Sequence, residues 1–153
     1  MRIMSPRHAL PRTIALVATA VALVTGLAGC VGAPTADVSF EQKIPAALEG
    51  AGLGLSDAWA SRSTDGFTVV LNVGAVSTAA DVSDAELRRI LQLIEANNTL
   101  GGDRLDLTVR SSSGDRIDLE PAAVTLGADP SAYRGSVPTA LSLSWDEVTR
   151  MLH

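Results

Sequence analysis

Apolar residues change their spacing several times along this chain, and each change marks a boundary. From Thr13 to Gly26 they run almost without interruption, with no charged residue between Arg12 and Asp37. Periodicity sets in at Ser39. Phe40, Ile44, Ala47, Leu48 and Ala51 recur at helical spacing, with Glu41, Lys43 and Glu49 on other faces. Ser39 and Gln42 fit a capping box, Pro45 argues for a start nearer Ile44, and Gly50, Gly52 and Gly54 end the helix. Ser56–Ser63 and Phe67–Val73 follow as a hairpin, with Phe67, Val69, Leu71 and Val73 alternating against Thr68, Val70 and Asn72. A three-residue loop with Gly66 left-handed sets Trp59 opposite Leu71 and buries the indole. A two-residue Asp65-Gly66 turn buries Ala58 and Ala60 instead. Hiding the indole favours the first.

Asp81–Asn98 carries the clearest helical stripe, Leu87, Ile90, Leu91 and Ile94, widened by Leu93. Ser83 and Glu86 form a capping box, and Asp84 adds favourable negative charge to the first turn. A short repeat comes next: Gly102-Asp103-Arg104-Leu105-Asp106-Leu107 is echoed by Gly114-Asp115-Arg116-Ile117-Asp118-Leu119. Folding at Ser112-Ser113-Gly114 sets Val109 opposite Ile117 and Leu107 opposite Leu119. The other face then shows Asp106, Thr108, Arg110, Arg116, Asp118 and Glu120, with Arg110 diagonal to Asp118. Ala122–Leu126 reads as a short strand, residues 127–138 as a loop, and Ala140–Leu143 as a further strand. Ser144 and Glu147 cap a last helix whose stripe is Trp145, Val148, Met151 and Leu152. The class is α+β: an antiparallel sheet of four to five strands in two hairpins, helices on one face, in the order α-β-β-α-β-β-(β)-α.

Composition sharpens the start of the chain. Arg2, Arg7 and Arg12 precede the apolar run, the basic and apolar regions of a secretory signal peptide, and Ala28 and Gly29 suit a signal peptidase. Cys30 is the only cysteine and lies directly after Leu27-Ala28-Gly29. That tetrapeptide resembles the lipobox of bacterial lipoproteins. The resemblance implies diacylglycerol on the Cys30 thiol, palmitate-type acylation, cleavage before Cys30, and a lipid-anchored protein on the cell membrane outside the cytoplasm. An uncleaved spanning helix over Thr13–Ala33 and an incidental cysteine are the alternatives. Two acyl chains anchor stably where one binds only marginally. The expected organisation is a signal peptide at 1–29, a lipidated N-terminus and tether at 30–38, and one small domain at 39–153.

Beyond Gly29 the chain keeps nine basic and seventeen acidic residues. Such an acidic domain is repelled by nucleic acid, which is excluded as a partner. Catalytic chemistry has little material. His8 leaves with the signal and His153 is terminal, so no Ser-His-Asp or Cys-His set and no His/Cys metal site can be assembled. No catalytic residue, cofactor or metal ligand is expected. Asp103, Asp106, Asp115 and Asp118, interleaved with Arg104, Arg110 and Arg116, read as a solvated sheet face rather than a cation site. Trp59 and Trp145 are assigned to the core, the alternative for each being an exposed ligand platform. Tyr133 and Arg134, in a proline-bearing loop, are the candidate ligand contacts.

The order over Ile44–Arg110 (helix, two strands, helix, strand) is similar to that of BON domains of bacterial envelope proteins, which implies phospholipid or envelope association. The expected function is a non-enzymatic envelope lipoprotein binding an envelope protein, polymer or lipid, with acylated Cys30 in the membrane. The alternative is a carboxylate-dependent cell-wall hydrolase.

Overall fold

The computed structural model describes residues 37–129 and 140–153, which fall within one compact unit, Pro34–His153. Cys30, the lipobox residues Leu27, Ala28 and Gly29, and Tyr133 and Arg134 lie outside the described residues.

The chain order is α1 (Phe40–Gly50), β1 (Leu55–Asp65), β2 (Thr68–Ser77), α2 (Asp84–Asn97), β3 (Arg104–Ser111), α3 (Glu120–Thr125), β4 (Leu141–Ser144) and α4 (Trp145–Leu152). The strands form one sheet in the order β1-β2-β3-β4. The α+β class stands, but the sheet is mixed: β1–β2 and β3–β4 are antiparallel, while β2 and β3 run parallel. Parallel neighbours need a crossover, and α2 supplies it, carrying the chain back to the start of the sheet.

The helices and the sheet share one core. Phe40, Ile44 and Leu48 of α1 and Leu87, Ile90, Leu91 and Ile94 of α2 join Leu71, Val73, Leu105, Leu107, Val109, Leu141 and Leu143 from one face of the sheet, with Val148 and Met151 of α4. These strand residues are alternate positions, so one face carries the core and the other lies away from it. The expected capping box on α2 forms: Glu86 N donates to Ser83 Oγ at 3.3 Å, and Ser83 N donates to Glu86 Oε2 at 2.9 Å. Its twin at Ser144 and Glu147 starts α4. The box expected at Ser39 does not form. Ser39 Oγ lies 3.1 Å from Thr99 Oγ1 instead, and Pro45 sits inside α1, which begins at Phe40.

The first hairpin forms in a different register, the second is cut short, and the strand expected at Ala122–Leu126 is a helix. The first hairpin closes through Gly66-Phe67, pairing Asp65 with Thr68, and Gly66 takes φ 61 at the first central position. This shifts the register by three residues from the favoured one and sets Trp59 opposite Gly74, on the face away from the core. Ala58 and Ala60 pack against the core in its place. The second hairpin turns where expected, with Gly114 at φ 90, and keeps its register. Ile117 N donates to Val109 O at 2.9 Å, and Arg110 pairs with Arg116. It ends after that one bridge, because β4 occupies the same edge of β3 along Arg104–Leu107. Leu119 therefore takes the N-cap position of α3 without a side-chain cap bond, and Ala122 and Ala123 are helical core residues rather than strand. Pro121 lacks the N–H a ladder needs but fits a first helical turn.

Candidate functional site

The face of the sheet away from the helices is built by the even-numbered positions of β2 and β3. The register lays them out in rows. Asn72 neighbours Asp106, Gly74 neighbours Thr108, and Val76 neighbours Arg110; Trp59 completes the Gly74 row from β1. A groove of about 240 Å³ opens on this face, lined by Asp57, Trp59, Asn72, Gly74, Val76, Asp106, Thr108, Arg110 and Arg116 among others. Its floor is β2. Asp57 and the Trp59 ring, which reaches over β2, line one side, and Arg110 and Arg116 the other.

Each wall has a local cause. The pairing of β1 with β2 slips between Ser56 and Trp59, so Asp57 and Ala58 together oppose Ala75. This is a β-bulge, a device that re-aims side chains at strand edges. Asp57 takes φ 47, the only positive φ among the described non-glycine residues. Aspartate tolerates that region better than most residues because its short side chain bonds locally. The freed Ala58 N–H donates to Glu49 Oε1 of α1 at 2.9 Å. Trp59 then lies on Gly74: a methyl group at position 74 would fall within the indole, so glycine is what lets the ring rest on the backbone. The ring is not enclosed: the residue is 48% exposed. The core assignment of Trp59 is therefore wrong, and the ligand-platform alternative fits its position. Trp145 does pack against the core.

The acids divide by role. Asp106 is 5% exposed, accepts from Ser142 Oγ at 2.6 Å and lies 3.2 Å from Arg104 Nε, so it is not a solvated surface acid. Arg104 also pairs with Asp65 at 3.3 Å. Asp103 accepts from Val69 N at 2.7 Å, Asp115 from Ser113 Oγ at 2.8 Å, and Asp118 from Glu120 N at 3.0 Å. These side chains hold backbone and turns in place. Among the described residues no group of three or more His, Cys, Asp or Glu side chains could hold a metal ion.

The expected approach of Arg110 to Asp118 is replaced by a hydrogen bond from Arg110 Nη1 to Gly114 O at 3.0 Å, and Asp118 turns to cap α3. Arg110 and Arg116 are left directly across the bridge from one another, and both reach the groove. Neither forms a salt bridge among the described residues. Sequence patterning had placed Asp106, Thr108, Arg110 and Arg116 on one face, as found. It gave no sign that Asn72, Gly74 and Trp59 would join them, because that depends on β2 lying parallel beside β3.

Compared with protein-family models, curated proteins and solved structures, the chain matches none.

Proposed function

We propose that this protein is a membrane-anchored lipoprotein of a bacterial envelope, held by acylated Cys30, whose domain binds an envelope ligand in the groove on the sheet face away from the helices. The observation that carries the binding reading is the exposed Trp59 indole lying on Gly74 and walling a groove shared with Arg110 and Arg116. The indole packs on Gly74 outside the core and keeps about half its surface exposed, and aromatic rings and arginines are the side chains most enriched where proteins bind partners. The anchoring reading is supported by Leu27-Ala28-Gly29-Cys30 after a basic and then apolar run. The order α1-β1-β2-α2-β3 supports the BON-like reading, and envelope association is what that likeness implies.

Two measurements test it. Metabolic labelling with a fatty-acid analogue should mark the wild type and not Cys30→Ala; equal labelling removes the anchor. Isolated cell-wall polymer should retain the wild type and not Trp59→Ala; equal retention removes the groove as the binding surface.

A second reading has one observation in its favour: Asp57 and Asp106 line the same groove, as a carboxylate-dependent hydrolase would require. Asp57→Asn would then abolish release of reducing ends from wall glycan. Unchanged release, or none by the wild type, rejects it.

A further inference from the structure

We propose that the groove seats an acidic sugar, its pyranose ring on the exposed surface of the Trp59 indole and its carboxylate between Arg110 and Arg116. This rests on the groove being the ligand-binding surface and names what it takes. Like charges placed directly opposite in an antiparallel pair repel. Arg110 and Arg116 hold that relation at the one bridge the turn forms. The hydrogen bond from Arg110 Nη1 to Gly114 O occupies only one corner of its guanidinium fork. A carboxylate between the two would relieve the repulsion and accept the parallel N–H bonds for which guanidinium geometry is suited.

The opposite wall asks for a flat, weakly polar face. The indole lies against Gly74 and the residue is about half exposed, which leaves ring surface for one ligand ring to pack on. The indole lies over β2, and Arg110 stands on β3, the next strand, about 5 Å away in the hydrogen-bonding direction. A groove of about 240 Å³ is smaller than a typical drug-sized pocket and fits a ligand of sugar size.

Hydroxyl-bearing ligands are favoured by what lies between the walls. Thr108 offers a hydroxyl. Asn72 uses its Nδ2 on Ser63 Oγ at 2.8 Å and keeps its carbonyl oxygen as an acceptor. Asp57, beside the indole, adds a carboxylate that accepts from sugar hydroxyls. An aromatic acid would satisfy the indole and the arginines but leave these groups without partners. A polyanion is disfavoured by a chain with seventeen acidic against nine basic residues beyond Gly29. One carboxylate on one sugar ring meets all of these demands.

The test is calorimetric titration of the full-length protein in detergent micelles with gluco- and galacto-configured hexuronates, with neutral glucose and benzoate as controls. A saturable heat with a hexuronate is expected, at least about tenfold weaker for glucose and for Arg110→Gln/Arg116→Gln, since a hydrogen bond to a charged group is worth that much. Trp59→Ala should lose it as well. The wild-type affinity should also fall at high salt, which needs no variant to fold. Absence of binding by both hexuronates, equal binding of glucose or benzoate, or affinity within twofold of wild type in both variants overturns the proposal. Retention on cell-wall polymer that depends on Trp59, without hexuronate binding, overturns the sugar and leaves the groove; loss of both removes both.

Discussion

Trp59 lies on Gly74, half exposed and outside the core. A three-residue hairpin loop would bury the indole opposite Leu71. The hairpin instead closes through Gly66-Phe67 and puts Ala58 and Ala60 on the core side, where α1 packs on β1. Alanine there leaves room for the helix; an indole would hold it off. The signal that could have found this is Gly74, a glycine within an otherwise branched and apolar strand, which marks a close approach. Gly74→Ala should therefore drive the indole from its seat, read as a change in tryptophan fluorescence with the far-ultraviolet circular dichroism unchanged. Asp57 makes a second point at this scale. Its left-handed backbone is strained for any residue with a Cβ, and strain of this kind gathers at functional sites. Asp57→Gly should raise stability by about 1 kcal/mol in denaturant titration, while weakening whatever the groove binds.

Among the elements, α2 was legible almost to the residue, because its apolar stripe and its capping box are local and agree with one another. Leu91 is fully buried in that stripe, so Leu91→Ala should cost roughly 2–5 kcal/mol of stability by denaturation. Ser83→Ala should cost about 1 kcal/mol. The same cap is sensitive to pH. Hydrogen bonds from the Ser83 side chain, and then from its backbone, hold the Glu86 carboxyl below its ordinary value. A carboxyl lowered in the folded state stabilises fully above its unfolded pKa, about 4.3, and loses that contribution as pH falls through the folded value. Glu86→Gln should flatten this acid limb of the stability profile, since glutamine can still accept from Ser83. The second hairpin was half legible. Its turn and register are set by nearby residues and came out right, but its length was decided by β4, which arrives from thirty residues further on and takes the same edge of β3. Local pattern cannot report a competitor so distant in sequence. The parallel pairing of β2 and β3 escaped for the same reason, because repeats and short turns argue only for neighbours.

At the scale of the molecule, alternation separates a helix-covered face of the sheet from a second face, but the second is wetted only in part: Val70, Asp106 and Ser142 on it are buried, and the groove lies beside them. Its lining draws on β1, β2, β3 and the turn after β3, so no single stretch of sequence carries its signature. The order of strands has a further consequence. An unclosed sheet has two edge strands, and an edge of unpaired backbone groups is a template for another chain. Here one rim is β1, rich in serine, with Arg62, Thr64 and Asp65 toward its end and kinked by the bulge at Asp57; the other is β4, only four residues long. Neither offers a long, flat, apolar strand for a neighbour to copy. Copies crowded side by side should therefore stay separate, and light scattering at rising concentration should report an unchanged particle size. The bulge that turns Trp59 and Asp57 toward the groove is thus also what keeps one molecule from growing onto the next.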